Sequence, residues 1–128
     1  MKPLVVQVDP ERATVDLLQA LLVAQGRTEK VGTDLPDTWT PASPTFVQVA
    51  HDGTPTLDWP VRAVSTVRVT VWSRVKSQGR DLASLCMGLL LAQPGYSEGT
   101  GLLLTVDPTT KGRLASFTVN FSQRTRSL

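Results

Sequence analysis

The side chains that could carry out chemistry are few in this chain of 128 residues. Its one histidine, His51, is followed by Asp52, and an imidazole beside a carboxylate can act as a general base. A site that needs two imidazoles is excluded by the single histidine. Because Gly53 comes next, the same residues also fit a strand that ends at His51 and a turn that opens at Asp52. We favour the turn over a catalytic pair.

The one cysteine, Cys86, could be a nucleophile only if a cation or a helix N-terminus lowered its pKa. It lies instead on the apolar stripe of a predicted helix, which favours a role in core packing. A single thiol also excludes an internal disulfide and a multi-thiolate zinc site, and it is typical of a reducing compartment.

Two other patterns give no site. Asp34 and Asp37 lie in a proline-rich segment without fixed geometry, and a hard cation needs more oxygen ligands on a defined turn. Gly99-Thr100-Gly101 lacks a following lysine and precedes a predicted strand rather than a helix, so it is not a phosphate-binding loop. We therefore predict no enzyme activity, no catalytic residue, no cofactor and no metal ligand.

Composition indicates one globular domain over residues 1–128, with 41% apolar and 19% charged residues. No segment reaches the roughly 20 apolar residues of a membrane helix. The first residues also lack the apolar region and cleavage site of a secretory signal. We expect a protein that neither crosses a membrane nor is exported.

The charge is unevenly divided along the chain. Residues 1–60 hold four Lys or Arg and eight Asp or Glu, whereas residues 61–128 hold nine and three, giving −4 and +6. The basic residues are scattered rather than gathered in the stripe that duplex nucleic acid requires. A solvated surface explains this pattern, and so does a head-to-tail contact between the acidic end of one copy and the basic end of the next.

The first half of the chain predicts one helix and two strands. Asp9 followed by Pro10 is typical of a helix start, and Gly26 is well placed to end that helix. A short strand is predicted at residues 31–33, then a loop at residues 34–44 that three prolines exclude from regular structure. A second strand is predicted at residues 45–51.

The second half predicts a long strand at residues 64–73, in which Val67, Val69 and Val71 alternate with polar residues. This strand should pair antiparallel with residues 45–51, and residues 52–62 between them form either a long hairpin arm or an exposed loop. A polar turn at residues 76–79 should then lead into a second helix that Pro94-Gly95 ends.

A C-terminal hairpin of residues 102–106 and 114–123 completes the set of predicted elements. The order of elements predicts an α+β fold: an antiparallel or mixed sheet of about four to five strands, with two helices packed on one face. The other face is left for solvent or a partner.

The tryptophans are the aromatic residues of most interest. Trp39 and Trp59 lie in proline-rich segments, where such side chains either anchor the loop or contact a partner. Trp72 should lie on the sheet face opposite the valines, together with Arg68, and an exposed Trp there would mark a contact surface.

The order and spacing of these segments resemble the tail terminator proteins of long-tailed bacteriophages, especially those that infect actinobacteria. The resemblance covers most of the chain. The segments that carry it are Val31-Gly32-Thr33-Asp34-Leu35-Pro36, Phe46-Val47-Gln48-Val49, Val67-Arg68-Val69-Thr70-Val71-Trp72, Asp81-Leu82-Ala83-Ser84-Leu85, Pro94-Gly95 and Phe117-Thr118-Val119-Asn120-Phe121.

The resemblance implies a virion protein of the tail-neck region, assembled in the host cytoplasm. Such a protein forms a ring, typically of six copies, on the last ring of tail tube protein. It stops tube polymerisation and presents a surface to the head-tail connector or neck protein, while genome DNA passes through without sequence-specific binding. The candidate assembly contacts are Trp39, Trp59, Arg62, Arg68 and Trp72.

Two alternatives stay open at this point. A head-tail joining or tail completion protein of the neck could share the fold and composition. A small ligand-binding or enzymatic α+β domain is of a different class, and it should have a concave pocket with convergent polar groups.

Overall fold

The structure, a computed structural model, is built on one mixed sheet and two helices. It describes residues 5–6, 9–58, 62–124 and 126–127, with the side chains of residues 9–52 and 64–122. In chain order the elements are β1 (Val5–Val6), α1 (Pro10–Ala24), β2 (Lys30–Gly32), β3 (Phe46–Asp58), β4 (Arg62–Ser73), α2 (Lys76–Leu91), β5 (Tyr96–Glu98), β6 (Leu103–Val106), β7 (Arg113–Arg124) and β8 (Arg126–Ser127).

Six strands form the main sheet in the order β2, β3, β4, β7, with β5 and β6 following each other along the outer edge of β7. β2 is parallel to β3, and the other pairs are antiparallel. β1 and β8 form a separate antiparallel pair. The predicted α+β class is confirmed, and the sheet has more strands than expected because β5 follows α2 directly.

The hydrophobic core lies between one face of the sheet and both helices. Val69 of β4 pairs with Val49 of β3 on one side and Phe117 of β7 on the other, and all three are fully buried. The helices cover this face with side chains that are also almost wholly buried: Leu18 and Leu22 of α1, and Leu82, Ala83, Cys86 and Leu90 of α2. Alternation along the strands thus places every second residue in the core and the others on the opposite face.

Both ends of α1 follow from the sequence as predicted. The Asp9 carboxylate accepts a hydrogen bond from the Glu11 backbone N–H at 3.0 Å, which satisfies one of the amides that a helix start leaves unpaired. At the other end Gly26 has a φ of +74°, and the Arg27 N–H donates to the Leu22 carbonyl at 2.9 Å. This left-handed glycine is the Schellman ending that Gly26 predicts.

The start of α2 differs from the prediction. The polar segment 76–79 is the first turn of the helix and not a separate turn before it. Gly79 is buried against Ser73, whose hydroxyl donates to the Val75 carbonyl at 3.0 Å. Because only a hydrogen atom at position 79 lets the helix approach this strand end so closely, tertiary packing outweighs the weak helix propensity of glycine.

Of residues 52–62, the described residues 52–58 and 62 continue the pairing of β3 with β4, which is the hairpin arm of the two predicted alternatives. β3 and β4 stay paired from Phe46 with Trp72 to Asp58 with Arg62, apart from register shifts at residues 51–56. The arm is three strands wide, because β4 also pairs with β7 as far as Arg62 with Arg124. The turn predicted at Asp52-Gly53 is therefore wrong. These turn-forming residues instead lie at a register shift within a strand that continues beyond them.

Candidate assembly surface

The sheet face opposite the helices carries the candidate contacts that the structure describes. Trp72 lies on this face as predicted, between Phe46 of β3 and Leu114 of β7. Its indole Nε1 donates to the Gln48 side chain at 3.1 Å, and the ring is half-buried. Part of the Trp72 surface therefore stays available to a partner.

Trp39 anchors its own loop, which is one of the two roles that the sequence left open for it. Only 5% of it is exposed, and its Nε1 donates to the Pro44 carbonyl at 3.0 Å across its own loop. The ring meets Trp72 edge-on, with the centroids 5.5 Å apart. A Cβ added at Gly112 would lie 2.7 Å from the Trp39 ring, so the loop is packed between β4 and the β6–β7 turn. Little of Trp39 is left for a neighbouring subunit.

Arg68 lies on the same face and is half-buried. Its guanidinium donates to the Asp52 carboxylate at 3.0 Å, and about two fifths of each side chain is exposed. An ion pair this exposed stabilises the fold by about 1 kcal/mol at most. Beside it, Thr100, Leu103 and Ser116 contribute to an open depression on the sheet face.

Two candidate contacts cannot be placed. Trp59 lies outside the described residues. Arg62 begins β4 and pairs with Asp58 and Arg124 through the backbone, but its side chain lies outside the described part. Both stay predictions.

The residues considered for chemistry are dispersed. Asp52 pairs with Arg68, and the His51 backbone N–H donates to the Glu11 carboxylate at 2.8 Å. Cys86 is fully buried in the core as predicted, and desolvation, followed by the negative charge of Glu29, raises its pKa to about 12. Within residues 9–52 and 64–122, no group of three or more potential metal ligands comes together.

The sheet order divides the uneven charge of the sequence by halves of the chain and not by single edge strands, since exposed Lys30 lies on β2 and exposed Glu98 on β5. β2 and β3 come from the acidic first half, whereas β4, β7, β5 and β6 come from the basic second half. At the β2 edge Asp34 and Asp37 are exposed, and at the β6 edge Lys76 and Arg113 are exposed. In the part of the chain that the structure describes, none of these four side chains forms an ion pair.

The β6 edge also carries apolar surface that the sequence analysis missed. Leu103 is 58% exposed and Val106 is 43% exposed. Val106, Lys76 and Arg113 line a pocket of about 90 Å³ beside the start of α2. Leu103 lies on the helix-free face and Val106 on the helix side, because residues of β6 alternate between the two faces. We call Lys76, Val106 and Arg113 the β6 corner. The unbroken apolar run Leu102-Leu103-Leu104 was the available signal, because a strand with one buried face should alternate.

The opposite edge is covered by Gln19 of α1. Its side-chain amide donates to the Glu29 carbonyl at 3.1 Å, and its carbonyl oxygen accepts from the Val31 N–H at 3.0 Å. These are two backbone groups on the outer side of β2, where a further strand would bind. Covering an edge in this way prevents unwanted strand pairing.

Comparison of the chain with protein-family models and with curated proteins found no match. Among the described helices, neither is long and apolar enough to cross a membrane.

Proposed function

We propose that this protein is a structural component of a bacteriophage virion that caps the tail tube as a ring, stops tube polymerisation and provides the surface that joins tail to head. The resemblance in the order of the sequence segments supports this proposal. The α+β fold, with both helices on one face of the sheet, is compatible with it.

The observation that carries the proposal is the separation of the acidic and basic halves of the chain within the sheet. A ring of identical subunits needs two different surfaces on each copy that fit each other, and the rotation between copies must close. Here β2 and β3, from the half with net charge −4, lie on one side of the sheet, and β4, β7, β5 and β6, from the half with net charge +6, lie on the other. This arrangement suits head-to-tail contacts between copies.

The proposed partners follow from that role. The ring contains about six copies, sits on the last ring of tail tube protein and meets the head-tail connector or neck protein on its other side. Genome DNA passes through the ring without sequence-specific binding. Trp72 and Arg68, which are partly exposed on the helix-free face, stay candidate contacts within this assembly.

The test is electron microscopy of the purified chain and of phage particles that lack it. We expect symmetric annuli from the protein, and tails of abnormal length that are not joined to heads in the mutant lysate. Tails of normal length without heads would instead indicate the neck protein. A compact monomer together with normal, joined tails would contradict the proposal.

A further inference from the structure

Four exposed charged side chains define two complementary surfaces. Asp34 and Asp37 follow β2, and Lys76 and Arg113 belong to the β6 corner. The ion pairs of the described chain join other residues, such as Arg27 with Glu29 and Arg68 with Asp52. The two acids and the two cations are therefore exposed without an ion pair in the described chain.

The β6 corner combines these cations with an exposed apolar side chain and an open strand edge. In the described sheet, β6 pairs only with β7, so its outer backbone groups face away from the sheet. Val106, at the end of this strand, is more than two fifths exposed and lines a depression together with Lys76 and Arg113. Charged residues beside exposed apolar surface are typical of a surface that binds protein.

A two-fold contact between two β6 edges gives Lys76 and Arg113 of neither copy one of the two acids, because both copies present the same corner. Strand pairing between β6 and β2 is disfavoured, because Gln19 already binds the outer groups of β2. The segment after β2 offers two exposed acids three residues apart, Asp34 and Asp37, that form no ion pair in the described chain.

Resting on the ring proposed above, we infer that residues 33–38 of one copy dock on the β6 corner of the next. Asp34 and Asp37 face Lys76 and Arg113, and the chain between the two acids covers Val106. Because the two surfaces are different parts of the molecule, every copy can use both, and the contact passes from copy to copy in one direction.

Charge reversal in two separate chains tests this contact. Chain one carries Lys76→Glu and Arg113→Glu, and chain two carries Asp34→Lys and Asp37→Lys. Each alone presents like charges at every contact, so its self-association should weaken by roughly a hundredfold. Mixed one to one, the chains alternate with opposite charges at every contact, and assembly should return to near the wild-type level.

Sedimentation velocity and electron microscopy measure the outcome. The control carries Arg12→Glu, Ala20→Glu and Ser84→Glu, which make the same change of net charge as chain one on exposed helix residues outside the β6 corner. It should assemble like the wild type, apart from the general effect of charge. Circular dichroism of each chain verifies folding, which these exposed substitutions should preserve.

A covalent test uses two further variants, Asp37→Cys and Arg113→Cys. Under mild oxidation the mixture should give dimers that contain one of each chain, since the buried Cys86 does not compete. The inference is wrong if wild-type annuli form, the charge-reversed chains still assemble alone, and only chains of the same kind cross-link. The proposed ring would then be unaffected. If the wild type forms no annulus at all, the ring and the inference fall together.

Discussion

Trp39 and Trp72 meet edge to face, with ring centroids 5.5 Å apart and an angle of 67° between the ring planes. This pair fixes the proline-rich loop onto the helix-free face of the sheet. Edge-to-face geometry brings the positive ring edge to the negative ring face and adds about 0.5–1.5 kcal/mol to the apolar burial.

Replacing Trp39 by Ala should lower the free energy of unfolding by about 3–5 kcal/mol, because a large buried ring is lost and a cavity remains. Trp39→Phe should cost less, since it keeps a ring but loses the hydrogen bond to Pro44. Urea unfolding followed by circular dichroism measures both. The exposed neighbour Thr38→Ala is the control, and equal stability of Trp39→Ala and Thr38→Ala would refute the anchoring role.

Gln19→Ala should destabilise the protein by about 1–3 kcal/mol, because the Glu29 carbonyl and the Val31 N–H lose their partner. It should also increase aggregation, since an uncovered strand edge can pair with other chains. Light scattering and urea unfolding measure the two effects. Gln25→Ala, at the exposed C-cap position of the same helix, should change neither; matching behaviour of the two variants would contradict the covering role.

Asp107 should make the β6–β7 turn sensitive to acid. Hydrogen bonds from the Thr110 backbone N–H and hydroxyl, both at 2.7 Å, lower the pKa of Asp107. A carboxyl whose pKa is lowered in the folded state contributes stability that is present above its unfolded pKa of about 3.9 and is lost as the pH falls through the folded pKa.

The stability difference between wild type and Asp107→Asn should therefore be largest near pH 6 and shrink below about pH 4. Thermal unfolding of both proteins between pH 2 and pH 6 measures this. Thr105→Ala, an exposed residue of β6 that does not titrate, is the control and should give a difference from the wild type that does not depend on pH. A constant difference between wild type and Asp107→Asn would argue against this account of the turn.

Cys86 should make the fold sensitive to base. Burial raises its pKa to about 12, so the stability that it contributes is complete below the unfolded pKa of about 8.5 and is lost as the pH rises through the folded value. As the pH rises above about 8.5, the free energy of unfolding of the wild type should therefore fall faster than that of Cys86→Ala, by up to about 1.4 kcal/mol per pH unit.

Urea unfolding at pH 7, 9 and 10 under reducing conditions compares the two proteins. Tyr96, whose pKa is also raised by burial, is present in both and cancels from the difference. Parallel loss of stability in the two proteins would show that the thiol is not the titrating group.

Association of the protein should weaken as salt concentration rises. Exposed charges are screened over about a Debye length, roughly 10 Å at 0.1 M salt and 3 Å at 1 M. Sedimentation velocity between 0.05 M and 1 M salt measures the effect. Association that does not depend on salt would remove the charged edges from the mechanism without removing the ring.

The elements with strong local signals were predictable from the sequence. Asp9, Pro10 and Gly26 set the ends of α1 through local hydrogen bonds, and the alternation of Val67, Val69 and Val71 set the buried face of β4. These signals need no knowledge of distant residues. The fold class followed from their order.

The parts that were missed depend on contacts between distant residues. The helical state of residues 76–79 depends on the fit of Gly79 against Ser73, and the coverage of β2 depends on Gln19, ten or more residues away. β5 is only three residues long and is fixed by its pairing with β7. Whether Trp39 anchors its loop or contacts a partner depends on its neighbours Trp72 and Gly112, which are distant in the sequence.

The Gln19 amide imitates a single peptide group of a missing neighbour, offering one N–H and one C=O to the residues on either side of Lys30. A side chain thus supplies at β2 what would otherwise take another length of main chain. The β2 side of the sheet is thus closed to a further strand, whereas the outer side of β6 is open in the described sheet. The two sides of one molecule are therefore not interchangeable.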